Sequence, residues 1–284
     1  EYPIDKIRNI AFIGHGGSGK TTLSEAMLFT SGITTRFGRV EDGSSVSDYH
    51  PDEIERKISI NASLLHCDWD GTKFNILDTP GYSDFTGEVI SSLRVSDIAV
   101  VVLKAVEGTE VGTEIVWNYT KQFQTPAVIV VNKLDNENAE FDHAVASAKS
   151  RFGNDVTLIQ FPANQGLPFD TVVDVLKMKM YKFNRDGSGK HAELDIPADF
   201  KEKAEALHEE LIEKIAETDE ALMNKFFEDG TLHDADLLKG LKVALNTRKI
   251  FPLFCTAASM NIGLGSVLGF LAQYGPSPLD RGPV

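Results

Sequence analysis

After a short polar lead, the chain opens on an unbroken apolar run. "IRNIAFIG" (7–14) has the pattern of a strand buried on both faces. "KTTLSEAMLFTSG" (20–32) follows with helical spacing and closes on Gly32, a C-terminal cap residue. Residues 33–57 are polar, with scattered Gly, Ser and Asp and no period. A loop of that length in a compact domain is functional or disordered. "ISINASLLHCDW" and "TKFNILD" then predict two strands joined through Asp70-Gly71, a hairpin dipeptide. From there the period alternates: a helix near 84–95, a strand at 97–103, a helix near 110–123, a strand at 126–132, a helix over roughly 139–151 and a strand near 156–161. Strand and helix in alternation predict an α/β fold, doubly wound, with a mostly parallel sheet and an antiparallel hairpin strand.

The rhythm breaks between about 162 and 250. "TVVDVLKMKMYKFN" reads as strand material, with Met178 and Met180 on one inward face between lysines, and is followed by an "RDGSGK" turn and a short strand near 191–196. Helices are predicted near 199–217, 219–228 and 234–246. "FPLFCTAA" (251–258) and a helix near 264–274 restore the α/β pattern. The economical description is one α/β domain over 1–161 and 251–284, interrupted by an inserted α+β subdomain over 162–250. No repeat or low-complexity tract interrupts it.

Two loops at predicted strand ends carry phosphate chemistry. "GHGGSGKT" (14–21) fits the P-loop pattern, placed between a strand and a helix. Its run of Gly14, His15, Gly16, Gly17, Ser18, Gly19, Lys20, Thr21 and Thr22 is assigned to phosphate contact. Backbone amides must curl round phosphate oxygens, Lys20 neutralises them, and the Thr21 hydroxyl ligates Mg²⁺. "DTPG" (Asp78, Thr79, Pro80, Gly81) follows the second hairpin strand. Asp78 would hold a metal-bound water, and the Gly81 amide would sense the γ-phosphate. Alone "DTPG" is an ordinary turn; its place downstream of a P-loop makes it a metal-side loop.

The third loop reads a base. "NKLD" (Asn132, Lys133, Leu134, Asp135) ends the strand "PAVIVV". One carboxylate, Asp135, can accept from both N1–H and the 2-amino group of guanine. Adenine has neither, and losing two hydrogen bonds to a charged group costs about 1.5–3 kcal/mol each. Asn132 would brace the loop, and the Lys133 stem would lie over the base. "TAA" (Thr256, Ala257, Ala258) ends the last strand, where the Ala258 amide is expected to meet guanine O6.

Composition narrows the partners. Lys+Arg is 28 and Asp+Glu 42, a formal charge of −14, which argues against a broad DNA- or RNA-backbone footprint. Cys67 and Cys255 stand far apart without metal spacing, consistent with a reducing compartment. No apolar run approaches the ~18 residues of a membrane span, and "EYPIDKIRNI" lacks the regions of a signal peptide. That stretch also lacks an initiator Met, so a trimmed start is expected. The acidic helix "DFKEKAEALHEELIEKIAETDE" has the pattern of a solvated face, and Trp69 and Trp117 of isolated packing residues.

At this point the chain resembles the G domain of elongation factor G, the translocase GTPase of the ribosome. "GHGGSGKTT", "ERKISINAS", "DTPGYSDF", "NKLD" and "CTAASMNIG" fall in the family's order, and "DVLKMKMYKF" and "ETDEALMNKFFEDG" resemble its insertion. The tail "YGPSPLD" matches the point where the family runs into its second domain, so further C-terminal domains are expected to be absent from this chain. The resemblance implies a P-loop NTPase G domain, GTP/GDP and Mg²⁺ as ligands, GTP hydrolysis, and a cytoplasmic monomer. It also implies the ribosome as partner, at the large subunit's factor-binding site, with the stalk protein as a further contact, and neither free DNA nor a membrane. It adds Ser59, in "RKISI", where the family's switch has a Mg²⁺-ligating threonine.

Three positions depart from the family. Tyr82 stands where histidine is usual, Gly16 where an apolar residue flanks the attacking water, and Gly17 where an aspartate helps hold a monovalent cation. A paralogous branch of elongation factor G is similar to this sequence, including the tyrosine. The catalytic assignments are Tyr82, Lys20 and Gly81. A neutral tyrosine hydroxyl can orient water but is a poor acceptor of a full proton, so slow intrinsic hydrolysis, stimulated by the ribosome, is expected. Alternatively Tyr82 packs on the switch surface and touches no water. The chain would then act as a GTP-regulated ribosome-binding module with negligible hydrolysis. A P-loop ATPase is disfavoured by Asp135.

Overall fold

A computed structural model describes residues 1–281. Among the described residues eleven strands run in chain order: β1 (Ile7–Ile13), β2 (Ser63–Trp69), β3 (Thr72–Asp78), β4 (Ile98–Lys104), β5 (Ala127–Asn132), β6 (Val156–Leu158), β7 (Gln160–Pro162), β8 (Thr171–Asp174), β9 (Lys179–Phe183), β10 (His191–Leu194) and β11 (Phe251–Cys255). The larger sheet has the order β2-β3-β1-β4-β5-β11-β6, with every pair parallel except the β2–β3 hairpin. The expected doubly wound architecture is present. Its strands are buried on both faces, which is why they read as continuous apolar runs. On β1, Ile10 and Phe12 face one layer while Ala11 and Ile13 face the other.

The helices are α1 (Lys20–Thr30), α2 (Pro51–Arg56), α3 (Thr86–Val95), α4 (Val111–Gln122), α5 (Phe141–Phe152), α6 (Ala198–Ala216), α7 (Glu220–Asp229), α8 (Asp234–Asn246), α9 (Leu264–Tyr274) and α10 (Pro278–Arg281). α1 and α9 cover the Ile10/Phe12 face; α3, α4 and α5 cover the other. α1 ends as the sequence predicts. The Gly32 and Ile33 amides return to Phe29 and Leu28 carbonyls at 3.0 Å each, with Gly32 at φ 78°. On the far side Trp117 is fully buried, its ring 4.3 Å from Phe152 and 4.8 Å from Phe251. β7 to β10 form a second, antiparallel sheet, followed by α6, α7 and α8.

Four expectations are corrected. Residues 58–62 are not strand, because the buried Glu53 carboxylate captures the Ile60 and Asn61 amides at 2.9 and 3.0 Å. The polar loop contains α2, started by Pro51. The single strand near 156–161 is two, one in each sheet. Between them, Ile159 donates to Leu253 O at 3.1 Å and accepts from Val175 N at 2.8 Å. "TVVDVLKMKMYKF" folds back into the β8–β9 hairpin, where Asp174 accepts the Lys177 amide at 2.8 Å. Met178 therefore sits in the turn at φ 52°, although both it and Met180 still pack, partly buried, on the core.

Candidate nucleotide site

The loops after β1, β3, β5 and β11 meet at one edge of the sheet, where parallel strands leave a crevice at their carboxyl ends. There a cleft of about 550 Å³ is lined by Gly16, Gly17, Gly19, Lys20, Thr21, Thr22, Ser59, Gly81, Tyr82, Asn132, Lys133 and Asp135. Gly14, His15, Ser18, Asp78, Thr79, Pro80, Leu134, Thr256, Ala257 and Ala258 are not among its lining residues. The motif reading missed Phe37, Arg39, Val40, Glu41, Asp48, Lys57, Ile58, Asn136 and Ser259, which also line the cleft. Most belong to the aperiodic segment 33–57, whose length was the one available signal.

The phosphate end is prebuilt. Lys20 Nζ donates to the carbonyls of Gly14 and His15 at 3.1 Å each, which holds the ammonium inside the loop. Burial lowers its pKa to about 8, partly offset by the charges of Asp78, Asp48 and Glu110. Gly19 sits at φ 96°, and a Cβ there would strike Asn132 Nδ2, so only glycine fits. His15 points away from the cleft: its Nε2 lies 3.4 Å from Glu110 Oε1, whose other oxygen takes Lys104 Nζ at 3.1 Å.

Beside it is an oxygen-rich corner. The Thr21 and Ser59 hydroxyls are 3.1 Å apart. Asp78 accepts from the Ser47 hydroxyl at 2.8 Å. Ser47 in turn shares a hydrogen bond with Ser45 at 3.2 Å, and Ser45 donates to the buried Glu25 at 3.0 Å. Asp78 Oδ1 and Asp48 Oδ2 are buried with no hydrogen-bond partner among the described residues. Burial raises the Asp78 pKa to about 7 and also pushes that of Asp48 up. Two orphaned carboxylate oxygens beside two hydroxyls form a hard donor set that fits a divalent cation such as Mg²⁺. Among the described residues no group of three His, Cys, Asp or Glu could hold a metal alone. Phosphate and water would have to complete the shell, as is usual for Mg²⁺.

Asn132 joins both ends of the site. Its Nδ2 donates to Ser18 O at 3.0 Å, and its Oδ1 accepts from Ala258 N at 3.0 Å and Thr256 Oγ1 at 3.2 Å. The Ala258 amide, expected to face guanine O6, donates to Asn132 in this structure. Leu134 is buried and its amide donates to Thr256 O at 3.3 Å, tying the β5 loop to the β11 loop. Asp135 faces the cleft with one carboxylate oxygen accepting from Ser259 Oγ at 3.1 Å. On the β3 loop, the Thr79 hydroxyl donates to Phe12 O at 2.5 Å, anchoring the turn against β1. Tyr82 is half exposed, and its ring lies against Gly16.

A P-loop opening α1, a carboxylate loop after β3 and an Asn-Lys-Leu-Asp loop after β5 define a P-loop GTPase domain. Residues 5–277 match the family described as elongation factor Tu GTP binding domain. The chain is 38% identical over 279 residues to elongation factor G 2 of Desulfotalea psychrophila, covering 98% of this chain and 40% of that protein. It is 37% identical over 281 residues to elongation factor G of Thermotoga neapolitana, covering 99% and 40%. A crystal structure of a Thermus thermophilus protein superposes with a TM-score of 0.91 at 31% identity, over 98% of this chain and 41% of the other. The chain belongs to the elongation factor Tu GTP-binding-domain family, as a guanine-nucleotide-binding GTPase domain of the elongation factor G type. It spans about two fifths of the length of these relatives.

Proposed function

We propose that this domain binds and hydrolyses GTP as the nucleotide switch of a ribosome-associated factor, acting at the large subunit's factor-binding site as a cytoplasmic monomer. One observation carries the reading: Lys20 and Asp135, a phosphate-neutralising cation and a guanine-reading anion, line the same cleft. Lys20 and the loop from Gly14 to Thr22 take the phosphates. Asn132 holds the two halves of the site in register, Asp135 reads N1–H and the 2-amino group, and the Lys133 stem covers the base. Thr21, Ser59 and, through water, Asp78 would hold Mg²⁺, with Asp48 adding charge beside them. The ion would supply neutralisation of charge on the phosphates.

Phosphoryl transfer asks the protein mostly for positioning and charge. The Gly81 amide is the donor that would meet the γ-phosphate. The Tyr82 hydroxyl, on a half-exposed ring, must be turned toward the attacking water. A ribosome that fixes this ring would accelerate hydrolysis; free in solution, the domain turns over slowly. The residues over 162–250 and the acidic face of α6 are available for contacts such as the stalk protein.

The test is single-turnover GTP hydrolysis with and without ribosomes, using the full-length protein, for wild type and Tyr82→His. Strong stimulation of the wild type is expected. A wild type that stays flat while Tyr82→His responds would make the tyrosine a brake and the protein a GTP-dependent binder.

A further inference from the structure

Gly81 and Tyr82 are folded down onto the P-loop. A carbon added at Gly81 would strike Lys20 Nζ and lie 2.7 Å from the Gly16 amide nitrogen. One added at Gly16 would lie 3.3 Å from both Cε2 and Cζ of the Tyr82 ring. The ring therefore rests on the bare face of Gly16, while Gly81 covers the ammonium and an amide of the phosphate loop. Among the described residues the Tyr82 hydroxyl has no hydrogen-bond partner, and the ring is 50% exposed. Its ring contact with Gly16 adds to the packing of Gly81 on Gly16 and to the Thr79–Phe12 hydrogen bond in holding the loop down.

A third phosphoryl group cannot share this space. Its oxygens need about 2.7–3.2 Å to each N–H donor, and oxygens project on every side of the phosphorus. Gly81 lies too near Lys20 and Gly16 for such a group to fit between them. A diphosphate ends short of this point. We infer that Gly16 and Tyr82 form a selectivity pair: the tyrosine ring seated on bare glycine holds Gly81 where the γ-phosphate must go, and so biases the domain toward GDP over GTP. This rests on the site being a guanine-nucleotide site. Binding of GTP then requires Gly81 to lift and the ring to leave Gly16, and that lost contact is charged against the triphosphate alone. An alanine at Gly16 would ask the ring to move by a few tenths of an ångström, and a bulkier residue would displace it further and weaken the bias.

The test is equilibrium binding of GDP and of an imido-bridged, non-hydrolysable GTP analogue to wild type, Tyr82→Phe, Tyr82→Ala, Gly16→Ala and the Gly16→Ala/Tyr82→Ala double variant. Tyr82→Ala should raise the triphosphate-to-diphosphate affinity ratio about fivefold, the scale of losing part of one aromatic ring's burial. Tyr82→Phe keeps the ring and should keep the wild-type ratio. The double variant should match Tyr82→Ala, because with the ring gone the methyl added at Gly16 has nothing to displace. Urea unfolding without nucleotide reports on folding in each variant. A ratio that stays at the wild-type value in Tyr82→Ala, with GDP binding intact, overturns the inference. If wild type binds neither nucleotide, the site reading itself fails, and this inference falls with it.

Discussion

Replacing Asn132 by alanine should damage both ends of the cleft at once. The side chain is almost fully buried and spans from Ser18 O to Ala258 N at 3.0 Å each way. Without it, a buried carbonyl and a buried amide lose their partners; the Thr256 hydroxyl can rotate to find another. Each orphaned group costs about 1–3 kcal/mol, so the two together cost about 2–6 kcal/mol. Water entering the vacated space would re-pair part of this, which places the expectation near about 3 kcal/mol. Part of it falls on folding and part on nucleotide affinity, because Ser18 shapes the phosphate loop and Ala258 the base end. Urea unfolding without nucleotide and a GDP titration divide the two. Asn132→Asp keeps an acceptor for Ala258 but sets a carboxylate against the Ser18 carbonyl, and should be comparably harmful. If Asn132→Ala unfolds within about 1 kcal/mol of wild type and binds GDP within about threefold, the brace is not what holds the site together.

Two further outcomes follow from single side chains. Asp135→Asn should exchange guanosine for xanthosine preference, since an amide can donate where the carboxylate accepted; a variant that still prefers GTP in competition binding would refute the base assignment. Asp97 is buried, and its carboxylate accepts the Asn9 amide at 2.8 Å. Burial lifts its pKa from 3.8 to about 6, against the opposing pull of the Asn9 amide and of Arg281 and Arg8. The folded chain thus keeps a proton that the unfolded chain releases, so this group's effect is absent below about pH 4. Stability then declines as pH rises toward about 6 and is level above. Asp97→Asn should remove that slope from urea midpoints measured across the window, and an unchanged slope would assign it to other groups.

Much of the site was legible because its chemistry is local. The P-loop, "DTPG" and "NKLD" each occupy a few consecutive residues at a strand end, and the strands announce themselves as apolar runs because both faces are covered. Ser259 was part of "CTAASMNIG" but was given no role, because a serine one residue past "TAA" has no periodicity or charge to mark it. Yet its hydroxyl reaches an Asp135 that is 124 positions away in the chain. Asp48 and Arg39 were hidden in a polar loop whose path is set by the buried carboxylates Glu25 and Glu53, not by any repeating pattern. Ala258 was placed at the end of its strand by the sequence, but the hydrogen bond from its amide to Asn132 was not legible, since it depends on where Asn132 arrives from β5.

By itself the sequence determined the α/β alternation, the hairpin at Asp70-Gly71 and the order of the three motifs, all of which follow from residue types within a few positions of one another. Only the tertiary structure decided which strand joins which sheet at Ile159 and how the aperiodic loop closes over Thr21 and Asp78. It alone also set the Tyr82 ring on Gly16. Each of these is a contact between segments far apart in the chain, chosen by which buried polar groups and bare surfaces meet once the sheet has formed. No local pattern encodes that choice.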